Sequence, residues 1–398
     1  MSQNYNTAML ALGQAPSVIR ETFEYGNRRA KEIGRENVFD FSLGNPSVPT
    51  PQSVQDTICR LVNTCDPIAL HGYTSAIGAE SVRAAIAANL NERFDAGLSA
   101  ADLYMTCGAA ASLTITLHAI LNPEDECMTF APFFPEYRVF AEKTGATFTV
   151  IPADTDSFQM NLEAFEKMLS AKTKAIIINT PNNPTGVVYT EENLNALCKL
   201  LREKSAEYGH PIYLIADEPY RELVYDNSTV VPYLTKLYDN TFVCYSYSKS
   251  LSLPGDRIGY IVVSPKMEDN RTMYAAVCGA GRSLGFVCAP SMMQQVIAEN
   301  LGITADLNVY RKNRDLLYNA LTEYGFRCIY PDGAFYLFVQ ALEDDAKAFC
   351  QKAREMELLL VPSDSFGCEG FVRLSYCVST EMIERSLPAF KKLAESYR

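Results

Sequence analysis

Apolar residues follow two rhythms along this chain. Short apolar runs recur at Leu103–Thr106, Glu126–Phe130, Thr147–Ile151, Ala175–Asn179, Ile212–Ala216, Thr241–Tyr245 and Gly259–Val263, and each predicts a strand. Between and before them, apolar positions at helical spacing predict helices over Val18–Ile33, Gly78–Leu90, Leu113–Leu121, Leu162–Leu169 and Glu191–Tyr208. Proline-rich breaks at 132–135 and 181–186 close two of the strands. Nearly continuous apolar strands alternating with helices predict an α/β fold, with a mainly parallel sheet of seven strands covered by helices on both faces. A short strand at Asp40–Leu43 breaks at Gly44-Asn45-Pro46. Beyond about residue 290 the pattern changes. Helices over Ser291–Leu301 and Tyr310–Tyr324 precede strand-like pieces at Phe326–Tyr330, Ala334–Val339, Leu358–Val361 and Phe371–Tyr376, an α+β order that predicts antiparallel pairing. The expected division is a large domain over 52–290 and a smaller one made of 1–51 and 291–398.

Composition narrows the function classes. With 398 residues, 48% hydrophobic and 21% charged, the chain is ordinary globular material, and its net charge of −12 opposes nonspecific nucleic-acid binding. No apolar run approaches the roughly 18 residues of a membrane helix, and MSQNYNTAML lacks the basic start and apolar core of a secretory signal. Twelve cysteines with no C-x-x-C pair and three scattered histidines argue against zinc; reduced thiols in a cytoplasmic protein are the expectation, with no metal.

In parallel sheets, ligands bind outside the C-terminal ends of the strands, and Asn183, Asp217 and Lys249 all fall just past predicted strand ends. Lys249 sits in Tyr245-Ser246-Tyr247-Ser248-Lys249-Ser250-Leu251, with no charged neighbour until Asp256. Burial of that kind frees a lysine amine to attack a carbonyl, while Ser246, Ser248 and Arg257 offer hydroxyls and a guanidinium fork suited to a phosphate. A Schiff-base lysine beside a phosphate cup suggests pyridoxal phosphate. The plainer reading is a loop lysine after a buried strand. Strand, small residues and helix start at 103–121 is the order that presents free backbone N–H groups to a phosphate, or a helix start kept small for packing. Asp217 could pair with a pyridine nitrogen or cap a helix. Asn183 and Tyr220 could donate to a ring phenolate, although asparagine between prolines also forms turns. Phe134 could cover the ring face or simply pack.

These stretches together resemble a class I aminotransferase of the pyridoxal-phosphate fold-type I superfamily, of the aspartate and aromatic type. The matching segments are SLGNP, YTSAIGAESVRAAIA, TCGAAASL, APFFPEY, NTPNNPTGVVY, ADEPYRELVY, YSYSKSLSLPGDRIGY, PDGAFYLF and FVRLSY, in order from about residue 40 to about 376. The resemblance implies that Lys249 forms the Schiff base and shuttles a proton, Asp217 holds the pyridine nitrogen, Asn183 and Tyr220 bond the phenolate, and Phe134 stacks on the ring. Gly108, Ala109, Ala110, Ser246, Ser248 and Arg257 would form the phosphate cup, with Tyr73 reaching the neighbouring subunit's cofactor in a homodimer. Arg373 would clamp the substrate carboxylate, with Gly44 and Asn183 beside it. The implied reaction moves the amino group of an L-amino acid to a 2-oxo acid. Elimination from a sulfur amino acid or decarboxylation on the same scaffold is the alternative enzyme reading. A cofactor-binding transcription regulator of this fold would need a DNA-binding module, and only about forty residues precede SLGNP. Phe134 stands where relatives often have Tyr or Trp, and Ala110 where many place a hydroxyl or amide. Arg20, Lys31 and Arg282 are unassigned cations that could read an acidic substrate side chain.

Overall fold

A computed structural model describes residues 4–15, 17–226 and 228–398. The chain divides into two compact units. The larger comprises 46–308 and 331–334; the smaller draws on 1–45, 309–330 and 335–398.

The larger unit is built on seven strands: β1 (Leu103–Thr106), β2 (Glu126–Phe130), β3 (Thr147–Ile151), β4 (Thr173–Asn179), β5 (Tyr213–Asp217), β6 (Thr241–Ser246) and β7 (Gly259–Val263). They lie side by side in the order β1-β7-β6-β5-β4-β2-β3, with β7 antiparallel to both of its neighbours and the rest parallel. Successive side chains of one strand feed opposite cores. Ile176 and Ile178 join Leu214, Val243 and Val262 on one face, while Ala175 and Ile177 join Ile215, Phe242 and Ile261 on the other. Helix Glu191–Tyr208 covers the first face through Leu194, Leu197 and Leu201. Helix Ala109–Ile120 covers the second through Leu113, Leu117 and Ile120. Burial of apolar surface on both faces is what holds the sheet in register, since a one-residue slip would swap the two sets.

Helix Ser291–Glu299 corrects the expected boundary at residue 290. Its Met293, Val296 and Ile297 enter the same apolar core as Val54, Leu61, Val82 and Ile86, so the chain stays with the larger unit until 308. In the smaller unit, Val361–Pro362, Phe371–Ser375 and Tyr336–Gln340 form an antiparallel three-stranded sheet, and Phe39–Asp40 pairs in parallel with Leu358–Leu359. The strand expected at Phe326–Tyr330 is absent; only Cys328 bridges Val339. Alternation there did not mean one buried face, because Phe326 is buried while Tyr330 is exposed and Pro331 restricts the residue before it. No helix among the described residues is long and apolar enough to cross a membrane.

Candidate active site

Strand register alone collects most of the candidate residues. Asn179 pairs with Asp217, Asp217 with Cys244, Ser246 with Gly259, and Gly259 with Thr106. The exits of β1, β4, β5 and β6 and the entry to β7 therefore share one edge of the sheet. Gly108, Asn183, Asp217, Tyr220, Lys249 and Arg257 all leave from that edge, as does the segment with Phe134 that follows β2.

Asp217 closes β5 as a buried carboxylate, and its environment is uneven. Oδ2 accepts a hydrogen bond from the Tyr137 hydroxyl at 2.5 Å, and the main-chain oxygen accepts from Asn179 Nδ2 at 2.8 Å. Oδ1 is buried with no hydrogen-bond partner among the described residues. Burial pushes the carboxyl up to about 7, against the opposing Tyr137 hydrogen bond and reinforced by the neighbouring Glu218 charge. A buried acceptor left open costs free energy unless a donor fills it, and the N–H of a protonated pyridine ring is such a donor.

Next to it, Asn183 and Tyr220 are buried. The Asn183 amide donates to Asn179 Oδ1 at 2.7 Å, so Asn179 braces both Asn183 and Asp217. Lys249 is half-buried in the single helical turn Tyr247–Ser250. Ser246 caps that turn: its Oγ accepts from the Ser248 amide at 3.2 Å and lies 2.7 Å from Ser248 Oγ. Phe134 is half-buried, with its ring edge-on to Tyr137 at 5.6 Å.

The candidate phosphate cup takes its shape from two glycines. Gly108 caps helix Ala109–Ile120 at φ +91°, with no side-chain cap, so the amides of the first turn have no intrahelical acceptor. Ala109 and Ala110 open that turn. The Arg257 guanidinium lies over the same point, since a Cβ on Gly108 would sit 2.9 Å from its Nη2. A Cβ on Gly259 would collide with the Tyr245 carbonyl and come within 3.1 Å of Gly108 Cα. Unfilled helix amides, a positive macrodipole end and a guanidinium converge there, the chemistry of a phosphate site. These residues would fit pyridoxal phosphate at both ends: the open Oδ1 of Asp217 could accept from a ring N–H, and the Gly108–Arg257 cradle could hold a phosphate.

Tyr73 stands apart, 98% exposed and with no side-chain hydrogen bond or ring contact among the described residues. In the smaller unit, Arg373 is buried with its guanidinium 4.7 Å from the Tyr336 ring centre and 5.2 Å from that of Phe366, and it donates to the Ser42 main-chain oxygen. A Cβ on Gly44 would strike the Tyr336 hydroxyl, so a larger residue there would have to displace that ring. Arg20, Lys31 and Arg282 are all exposed. Sequence reasoning missed Tyr137 and Asn179. Tyr137 lies three residues after Phe134, in the first turn of the helix Glu136–Glu142 that follows it, and this closeness in sequence is the signal that could have found it.

The aminotransferase class I and II family model matches residues 36–390 of the chain. An aspartate aminotransferase of Thermotoga maritima is 31% identical over 366 residues, covering 91% of this chain and 92% of its own. An aspartate/prephenate aminotransferase of Thermus thermophilus is 27% identical, covering 92% and 94%. The solved structure of an amino transferase from Eubacterium rectale superposes with a TM-score of 0.98 at 55% identity over the whole of both chains. Sheet order, strand-edge chemistry and these likenesses agree: the chain belongs to the aminotransferase class I and II family and is an aminotransferase.

Proposed function

We propose that this enzyme works with pyridoxal phosphate held at the sheet edge of the larger unit and passes the amino group of an L-amino acid to a 2-oxo acid. When bound, the cofactor supplies the aldehyde that takes up the amino group and the ring that accepts electrons. Lys249 contributes the amine that bonds the cofactor and then carries the proton at the substrate Cα. Asp217 accepts the ring N–H through Oδ1, Asn183 and Tyr220 donate to the phenolate oxygen, and Phe134 covers the ring. Gly108, Ala109, Ala110, Ser246, Ser248 and Arg257 hold the phosphate. Arg373 anchors the substrate α-carboxylate in the role a bidentate guanidinium suits, with Gly44 and Asn183 serving the same substrate end. Tyr73 serves the cofactor of a second copy in a homodimer, and its exposure within one chain supports that role. Twelve free thiols support a cytoplasmic setting.

The observation that carries this reading is the open Oδ1 of Asp217, a buried acceptor on the strand end beside the one that leads to Lys249. The test is Lys249→Ala. Turnover should fall below about a thousandth of the parental rate, because a positioned proton-transfer group alone is worth roughly 10²–10⁴-fold. Cofactor should still bind noncovalently. Near-parental turnover, or a borohydride-trapped cofactor mapped to another lysine, would overturn the assignment. Aspartate, the donor in the names of several relatives, is the first amino acid to try.

A further inference from the structure

The turn that carries Lys249 cannot hold itself in place. It is a single helical turn, Tyr247–Ser250, and a lone turn fixes several dihedrals for one hydrogen bond. Its position must come from outside. Tyr245, four residues before the lysine, ends in a hydroxyl 2.6 Å from Glu222 Oε2 and 3.0 Å from Ser250 Oγ, the residue immediately after Lys249. A phenol has one proton. The hydroxyl directs it at two acceptors, the Glu222 carboxylate, which is the stronger, and Ser250 Oγ.

Each partner is held in turn. Glu222 Oε1 accepts from Arg93 Nη1 at 3.1 Å, on the helix Glu80–Phe94. The Tyr245 ring is stacked on Tyr260 at 4.9 Å, edge-on to Tyr247 at 5.0 Å, and covered by the Arg221 guanidinium 4.9 Å from its centre. Arg221 pairs with Glu218 in full burial. The other side of the turn is pinned as well, where the Ser250 main-chain oxygen accepts from the Ala305 amide at 2.8 Å. Glu218, Arg221 and Glu222 all belong to the segment that leaves β5 through Asp217 and Tyr220. One phenol thus ties the lysine turn to the exit of the neighbouring strand. Burial, then the Glu222 charge, push Tyr245 well above the usual phenol range, so the phenol stays protonated and able to donate across the working pH.

We propose that Tyr245 is a positioning residue for Lys249: clamped by Glu222, its hydroxyl holds Ser250 and so fixes the orientation of the lysine amine toward the Asp217 strand end. The proposal rests on Lys249 being the cofactor-bonding lysine. Tyr245→Phe deletes the hydroxyl and keeps the ring stack, and Ser250→Ala removes the other half of the link from the opposite side. Each should lower kcat about tenfold while leaving KM for the amino acid unchanged, since the carboxylate anchor is untouched. The double variant should lose no more than either single one, because both break the same link. In cofactor-free protein, the profile of trace acetylation at Lys249, read by peptide mass spectrometry, should depart from the parental one in both variants, because the amine is no longer held in one place. A kcat and a labelling profile that stay parental in both variants would overturn the proposal, as would a loss that tracks only a drop in Tm. Mapping the borohydride adduct separates the two readings. An adduct at Lys249 with unmoved profiles sinks the clasp alone, whereas an adduct on another lysine sinks the role of Lys249 and the clasp with it.

Discussion

Asp217 combines full burial with a single side-chain hydrogen bond among the described residues, and that combination has a thermodynamic consequence in the cofactor-free protein. Its folded pKa is raised from 3.8 to about 7, so the folded state binds this proton more tightly than the unfolded chain does. The associated stability is fully present below about pH 4 and is lost as pH rises through about 7. Asp217→Asn keeps the shape and removes the titration. Compared with the variant, the parent should therefore lose stability progressively between pH 4 and pH 7. The loss should reach a few kcal/mol, since each tenfold difference in proton affinity between the two states is worth about 1.4 kcal/mol. Urea melts of both cofactor-free proteins across that range measure it, and a constant difference would show that the burial is not felt. Cofactor should reverse the order by placing a donor on Oδ1. Asp217 itself was legible in sequence as the polar end of an apolar strand. Its hydrogen-bond donor was not, because Tyr137 lies 80 residues away and meets it only through packing of the segment after β2 against the strand edge.

At the scale of elements, strands were more legible than helix starts. A buried strand is a compact apolar run, and all seven of the larger sheet sit within two residues of their expected ends. The helix expected from Leu113 begins instead at Ala109. Its first residues carry no apolar pattern, but alanine has the strongest intrinsic helix preference and continues the helix without one. Helices at Asn270–Ser283, Ala346–Arg354 and Thr380–Glu395 escaped the sequence reading. Ser379 caps the last of them, accepting from the Met382 amide, and that Ser-x-x pattern was available. The early start at Ala109 bears on the proposed phosphate site, because it aims the first-turn amides at the point Arg257 covers. Gly108→Ala would force a Cβ against the Arg257 guanidinium in a left-handed backbone that disfavours side chains. That strain is worth about 1–2 kcal/mol, so cofactor affinity should weaken by about tenfold, measured by titrating the cofactor-free protein. Gly279→Ala is the matched control: it is exposed on a helix with nothing within 4 Å of the added Cβ, and it should leave affinity unchanged.

For the whole molecule, the unit division follows apolar faces more faithfully than it follows the texture of the sequence. The change of pattern near residue 290 is real, yet the first helix after it buries its apolar stripe in the larger unit's core, and periodicity cannot say which core a stripe will choose. The same holds for Tyr73, whose aromatic ring is exposed in one chain and so has a proposed role only in a pair. That role makes a strong prediction, because a twofold pair exchanges residues reciprocally. A Tyr73→Ala variant would be defective in the partner's site, and Lys249→Ala in its own. In a hybrid of the two, the site built around the intact Lys249 belongs to the Tyr73→Ala chain and receives a normal Tyr73 from the other chain. Its companion site carries both defects. Random reassortment makes half of the dimers hybrid and half of their sites intact, so an equal mixture should recover about a quarter of parental turnover per site. Each variant alone should stay far below that level. The mixture is made by unfolding and refolding the two together, with the parental enzyme taken through the same cycle as reference. Recovery no greater than the sum of the separate variants would show that Tyr73 serves its own chain or none, and the reciprocal site would have to be abandoned.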